Sequence, residues 1–170
     1  MGMEFGPIFW GLAALAGAAA LAYGLLFLDK APSWPRALLK TAYMAALTGA
    51  FAAAHAPPPL LIALGAAAAG DFFLAFDKKW ILPLGILSFL IAQILYLAIF
   101  FGLWLLAPDG APLLPRYVAT ALIVATSLGF LVWMAPKLGW MALGVVPYAI
   151  AITGMASMAM WLPWIGWPAM

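Results

Sequence analysis

Long uncharged stretches separated by short charged clusters run the length of the chain. The seven Lys and Arg and the five Asp and Glu leave five stretches without any charge. These stretches are residues 5–28, 41–70, 80–108, 117–136 and 138–170. A helix needs about 20 apolar residues to cross the hydrocarbon core of a bilayer, and it satisfies its own backbone hydrogen bonds there. The pattern therefore predicts membrane-spanning helices.

Prolines divide one of these stretches and mark the other connections. Pro57, Pro58 and Pro59 interrupt the stretch 41–70, and three consecutive prolines favour a tight turn between two helices. Pro136 similarly marks the connection before the last stretch. The predicted spans are Phe5–Leu28, Ala37–His55, Leu60–Phe76, Ile81–Leu106, Tyr117–Ala135 and Leu138–Leu162. We expect an all-α protein, a polytopic membrane bundle of about six transmembrane helices that forms a single domain over residues 1–170.

Composition excludes several classes of protein. Hydrophobic residues make up 69% of the chain and charged residues only 7%, whereas a water-soluble domain has about a quarter of its residues charged. The net charge of +2 comes without a basic face, so we expect no nucleic acid partner. One histidine and no cysteine exclude disulfides, thiol nucleophiles and His- or Cys-rich metal sites. We expect neither a metal nor another cofactor.

The basic residues predict the orientation in the membrane. Short cytoplasmic loops retain Lys and Arg. The loops after the first, third and fifth predicted spans lie on one side of the membrane. Six of the seven basic residues fall in or beside these loops, namely Lys30, Arg36, Lys40, Lys78, Lys79 and Lys137. Arg116 is on the other side. We therefore expect an integral protein of a bacterial cytoplasmic (inner) membrane with both termini away from the cytoplasm. Glu4 without a positive charge precedes the first span, which predicts a retained helix and not a signal peptide.

Polar side chains inside the spans are the candidates for function. An intramembrane carboxylate is costly to bury and usually functional, which singles out Asp71 in the third span. Lys40 lies about one turn inside the second span on the same side, and the proline turn joins the two helices, so we expect the two side chains to meet. The alternative to a functional role is that Asp71 and Lys40 form a structural ion pair, or that Lys40 only reaches the headgroups. Gln93, Tyr96 and Tyr148 lie near mid-membrane, where each is either a ligand contact or an interhelical hydrogen bond.

Several short stretches resemble a known family, the YhhN-like transmembrane lysoplasmalogenases. The matching stretches are Leu38-Leu39-Lys40 with Met44, Leu64–Leu74 with Gly70-Asp71, Leu84-Gly85 with Phe89 and Tyr96, and Val145-Val146-Pro147-Tyr148 with Met155. The resemblance covers most of the chain and implies a membrane enzyme that hydrolyses the vinyl ether bond of lysoplasmalogens. Gln93 stands where the family pattern usually has His. The family usually continues through two more helices with a second aspartate, so this chain is expected to lack them.

The chemistry of that reaction fits an intramembrane carboxyl group. Hydrolysis begins with a proton delivered to the β carbon of the vinyl ether, and the resulting oxocarbenium ion is attacked by water, as in glycoside cleavage. We therefore expect Asp71 to be the general acid. Lys40, Gln93, Tyr96 and Tyr148 are expected to bind the substrate. Membrane lipids, and a lysophospholipid as substrate, are the expected partners, with the substrate phosphate on the side of the basic residues.

Two other functions remain open from the sequence. A shortened family member is also able to serve as a non-catalytic accessory subunit of a larger membrane complex, which would give it partner membrane subunits or a second copy of itself. A small-molecule or proton carrier is the third hypothesis. That hypothesis is weakened because the spans contain neither a second acidic residue nor an inverted repeat.

Overall fold

The computed structural model describes residues 3–27, 30–76, 78–106 and 113–162; Leu28, Asp77 and Asp109 lie outside them. Within these residues the protein is all-α, and no strand is formed. The helices are α1 Pro7–Leu26, α2 Trp34–Ala53, α3 Pro58–Leu74, α4 Leu82–Leu106, α5 Leu113–Leu138 and α6 Ala142–Ala159. The predicted all-α class is therefore confirmed, and each predicted stretch contains a helix; the count of about six transmembrane helices stays a prediction.

Local sequence signals set the ends of α2. The Ser33 side chain accepts a hydrogen bond from the backbone N–H of Arg36 at 3.4 Å, which satisfies one of the free donors in the first turn. At the other end His55 has a positive φ of 56°. The backbone N–H of Ala56 bonds to the carbonyl of Phe51, five residues back, and the N–H of His55 bonds to that of Ala52. This is the Schellman arrangement that ends many helices.

The proline turn begins α3 directly. Pro57 is the N-cap residue, and Pro58 and Pro59 occupy the first turn of the helix. Proline fits there because the first N–H groups of a helix have no intrahelical partner. The predicted division of the stretch 41–70 is confirmed, although α3 starts two residues earlier than the predicted Leu60.

The connection between α5 and α6 differs from the prediction. Pro136 lies inside α5, which continues to Leu138. The break comes at Gly139, which has a φ of 50° and opens a short 3₁₀ segment, Gly139–Met141. The prediction that the helix breaks at Pro136 was therefore wrong by three residues. The break falls at Gly139 because glycine easily adopts the left-handed backbone conformation found there.

The chain divides into two compact units, residues 1–92 and 93–170. In the first unit the helices run antiparallel in sequence order. Phe9 near the start of α1 packs against Ala50 and Ala54 at the end of α2. The ring of Trp34 at the start of α2 lies 5.0 Å from that of Phe76, just past the end of α3. The arrangement of the whole chain as one domain stays a prediction.

In the second unit α5 and α6 form an antiparallel hairpin. The Arg116 guanidinium near the start of α5 donates to the carbonyl of Leu162 at 3.1 Å. The Trp161 indole N–H donates to the hydroxyl of Thr120 at 3.2 Å. Arg116 is only 4% exposed, so this buried cation lies beside the carbonyl end of α6, where a helix dipole favours positive charge.

Apolar side chains face outward in both units. Leu25, Leu106 and Leu143 are each more than 80% exposed, with values of 82%, 84% and 84%, whereas most buried residues are alanines. Among the described residues, three helical segments are long and apolar enough to cross a membrane: Pro7–Leu26, Leu82–Leu106 and Leu113–Ala159. The third comprises α5, the 3₁₀ segment and α6. Small residues inside and large apolar residues outside are typical of helices packed in lipid.

Candidate active site at Asp71

Asp71 occupies the last turns of α3 and is 5% exposed. One carboxylate oxygen, Oδ1, lies 3.4 Å from the Lys40 ammonium of α2. The other, Oδ2, accepts a hydrogen bond of 2.8 Å from the Tyr43 hydroxyl, also of α2. Both oxygens of the buried carboxylate are therefore held by the neighbouring helix, as buried charged groups require.

The helical spacing of α2 explains this arrangement. Lys40 and Tyr43 are three residues apart, so they lie on the same face of the helix, one turn from each other. The antiparallel packing of α2 and α3 brings that face to Asp71. The contact that the sequence predicted between Lys40 and Asp71 is present. Tyr43 was missed, although its position one turn from Lys40 was a usable signal.

The helices α3 and α4 approach each other closely at Gly70, the residue before Asp71. A Cβ atom added to Gly70 would lie 2.6 Å from Cδ2 of Phe89, and one added to Gly85 would lie 2.6 Å from Leu74. Both distances are far inside the ordinary contact distance of about 3.5–4.0 Å between carbons. Glycine at both positions is therefore what allows α3 and α4 to pack this closely at the turn of α3 that carries Asp71.

The remaining predicted site residues belong to the second unit. Gln93 on α4 has a buried amide oxygen without a hydrogen-bond partner. The Tyr96 ring stacks on that of Phe100 with centroids 6.3 Å apart. Tyr148 lies on α6 and is partly buried. Their assignment as substrate-binding residues stays a prediction.

The donor set of the described residues does not resemble a metal centre. Residues 3–27, 30–76, 78–106 and 113–162 contain no group of three or more His, Asp or Glu that are placed to hold a metal ion. At Asp71 the neighbours are a lysine and a tyrosine, which form an ion pair and a hydrogen bond with the carboxylate.

The long apolar helices of the described residues, with large apolar side chains facing outward, indicate a helical membrane protein. The model of the YhhN family matches residues 35–169, which include Lys40, Tyr43 and Asp71. The chain therefore belongs to the YhhN family, as the sequence resemblance indicated. No curated protein and no solved structure matches the chain.

Proposed function

We propose that the protein is a membrane-embedded hydrolase that cleaves the vinyl ether bond of lysoplasmalogen-type lysophospholipids, with Asp71 as the general acid. The observation that carries the proposal is the Asp71 carboxyl group, buried in apolar helices yet held at both oxygens by Lys40 and Tyr43. Membership of the YhhN family also supports this proposal.

The contact with Tyr43 suits both states of an acid catalyst. A tyrosine hydroxyl is both a donor and an acceptor. It therefore accepts a hydrogen bond from the protonated carboxyl and donates one to the carboxylate that proton transfer leaves behind. The Lys40 ammonium, 3.4 Å from the other oxygen, stabilises that carboxylate. The side chains around Asp71 thus support the group before and after it gives up its proton.

In the proposed reaction the Asp71 carboxyl transfers its proton to the β carbon of the vinyl ether. The double bond supplies the electron pair for the new C–H bond, and the adjacent carbon and the ether oxygen share the positive charge. Water then adds to that carbon and returns a proton to Asp71. The hemiacetal so formed breaks down to a fatty aldehyde and the glycerophospho-base. The carboxylate stabilises the cation electrostatically between the two steps.

The membrane provides the setting of the reaction. We propose that all six helices cross the bacterial inner membrane, with both termini away from the cytoplasm and the basic end of the first unit at the cytoplasmic surface. A lysophospholipid in the bilayer then places its chain among the helices and its phosphate near the basic residues. Gln93, Tyr96 and Tyr148 are proposed as further substrate-binding residues.

The test compares Asp71→Asn with Lys40→Met in purified protein. Asn keeps the shape of Asp but is no acid, so Asp71→Asn should reduce aldehyde release from lysoplasmalogen by about 100-fold to 10,000-fold while the protein stays folded. Lys40→Met should mainly raise KM. A structural ion pair predicts something else, namely lower melting temperatures for both variants because each leaves a buried charge without its partner. Full activity of Asp71→Asn would rule out the proposed mechanism.

A further inference from the structure

An aromatic cavity lies in the first unit, between the start of α2 and the segment that joins α3 to α4. It has a volume of about 240 Å³ and is lined by the rings of Trp34, Phe72, Phe76 and Trp80, with the Lys78 side chain among them. At about 30 Å³ for each water molecule of the liquid, the volume accommodates roughly eight water-sized groups. That is close to the size of a glycerol backbone with a phosphate.

The rings hold the cavity in shape. Phe72 and Phe76 are four residues apart, on one face of the chain as it leaves α3, and their centroids are 5.3 Å apart in an edge-to-face arrangement. Trp34 packs against both, at 6.3 Å from Phe72 and 5.0 Å from Phe76. Because these contacts join α2 to the end of α3, the cavity wall belongs to the same pair of helices that holds Lys40 and Asp71.

Positive charge is concentrated at the rim. A second cavity of about 160 Å³ is lined by Lys78 and Lys79 together with Leu74, Phe76 and Leu82. Lys78 and Phe76 line both cavities, so the two meet at these side chains. Both lysines are exposed, which leaves their ammonium groups available to an anion. A cavity that is apolar inside and cationic at its rim fits an amphiphile with a negatively charged head.

The depth of the cavity relative to Asp71 fits one class of amphiphile. Lys78 follows Asp71 by seven residues. Phe72, which lines the cavity, directly follows Asp71, and α3 ends at Leu74, about 4.5 Å beyond Asp71 at the helical rise of 1.5 Å per residue. In a lysoplasmalogen about seven covalent bonds join the β carbon of the vinyl ether to phosphorus, which span roughly 9 Å when extended at ordinary bond lengths. Because Phe72 and Lys78 line the same cavity, a phosphate held at Lys78 leaves the ether free to extend toward the turn of α3 that carries Asp71.

We propose that this cavity, lined by Trp34, Phe72, Phe76 and Trp80, binds the glycerophosphate part of a single-chain phospholipid, with the phosphate at Lys78 and Lys79. The inference rests on the proposed function and adds to it how the substrate is positioned relative to Asp71. The rim fixes the phosphate, and the spacing between phosphate and ether then selects which bond reaches the acid. An ether lipid without a phosphate lacks this anchor.

Binding of a ligand that cannot react separates this proposal from the catalytic one. The probes are 1-O-hexadecyl-glycero-3-phosphocholine, whose ether is saturated, and 1-O-hexadecylglycerol, which has no phosphate. Dissociation constants are measured by calorimetry with the purified full chain in detergent. We expect the phosphate-bearing probe to bind more tightly by about tenfold to a hundredfold, as charge-assisted hydrogen bonds give. Lys78→Gln should remove most of this preference, and Lys78→Arg should retain it.

Two further variants define the site. Lys30→Gln removes the same charge at the same end of the unit, from a lysine that lies over the Phe27 ring, and should leave the preference unchanged. Trp80→Ala should weaken both probes alike because it removes apolar contact only. Equal binding of the two probes by the unmodified protein, or an equal loss in Lys30→Gln and Lys78→Gln, would overturn the proposal. Preference for phosphate that depends on Lys78, in a protein that releases no aldehyde, would support the cavity and refute the catalytic function.

Discussion

Replacing Gly70 by alanine tests the close approach of α3 and α4 beside Asp71. The added methyl group would lie 2.6 Å from Cδ2, 2.7 Å from Cε2 and 3.0 Å from Cγ of Phe89. Ordinary carbon contacts are about 3.5–4.0 Å, so the ring has to move by close to 1 Å. Overpacking of this kind costs about 1–3 kcal/mol. The greater helical propensity of alanine returns about 1 kcal/mol, which leaves a net destabilisation of about 0–2 kcal/mol.

Gly65 on the same helix provides a matched control. A Cβ atom there has no neighbour within 4 Å. Gly65→Ala therefore gains the helical propensity without the steric term, and the difference between the two variants isolates the overpacking cost of about 1–3 kcal/mol. For a chain of this size, 1 kcal/mol shifts the melting temperature by about 2–4 °C, so Gly70→Ala should melt about 2–12 °C below Gly65→Ala.

The assay is thermal unfolding of both variants in the same detergent, with Phe89→Leu added to each. Removing part of the ring should restore much of the stability lost in Gly70→Ala, giving a favourable coupling in the double-mutant cycle. In the Gly65→Ala background the same change should show no coupling. Equal melting temperatures of the two alanine variants, or the absence of coupling between positions 70 and 89, would refute the packing argument.

Three further predictions concern other parts of the molecule. Tyr43→Phe removes the hydrogen bond to Asp71 and should lower aldehyde release about tenfold or more with little change in KM, which kinetics on the purified variant will show. Arg116→Met removes the donor to the Leu162 carbonyl and should lower the melting temperature without changing aldehyde release by the remaining folded protein. Cysteine in place of Lys30 should resist an impermeant thiol reagent added to intact cells, whereas cysteine in place of Glu4 should react; the reverse pattern would contradict the proposed orientation.

The positions of the helices could be predicted because lipid imposes a simple rule on the sequence. Charged residues cluster where helices end, and Pro57–Pro59 divide an otherwise continuous apolar stretch. The meeting of Lys40 and Asp71 followed from the same reasoning, since a tight turn forces its two helices to run side by side. In these parts of the chain a single dominant constraint determined the structure.

Tyr43 and the packing role of Phe89 were harder to recognise, although Tyr43 lies one turn from Lys40 and Phe89 stands in one of the family-like stretches. Tyrosine and phenylalanine are ordinary residues of membrane helices, so neither stands out as a lysine or an aspartate does. Which of several glycines approaches a neighbouring helix also depends on the rotation of each helix about its axis. That rotation is poorly specified in α4 and α6, because apolar residues surround them on all sides and no polar face marks an orientation. For the same reason the partners of Gln93, Tyr96 and Tyr148 could not be derived.

The ion pair between α2 and α3 has a consequence for how the protein enters the bilayer during synthesis. Within the described residues α2 is not among the helices long and apolar enough to span, and α3 has only 17 residues. A lone Lys or Asp costs about 2.5–3.5 kcal/mol at the centre of an inserting helix on the biological insertion scale, and less toward its ends, where Lys40 and Asp71 lie. Once the turn at Pro57 lets the two helices meet, Lys40 and Asp71 neutralise each other. The translocation machinery should therefore release α2 and α3 together as one hairpin, and a nascent chain that ends before Asp71 should leave α2 outside the lipid.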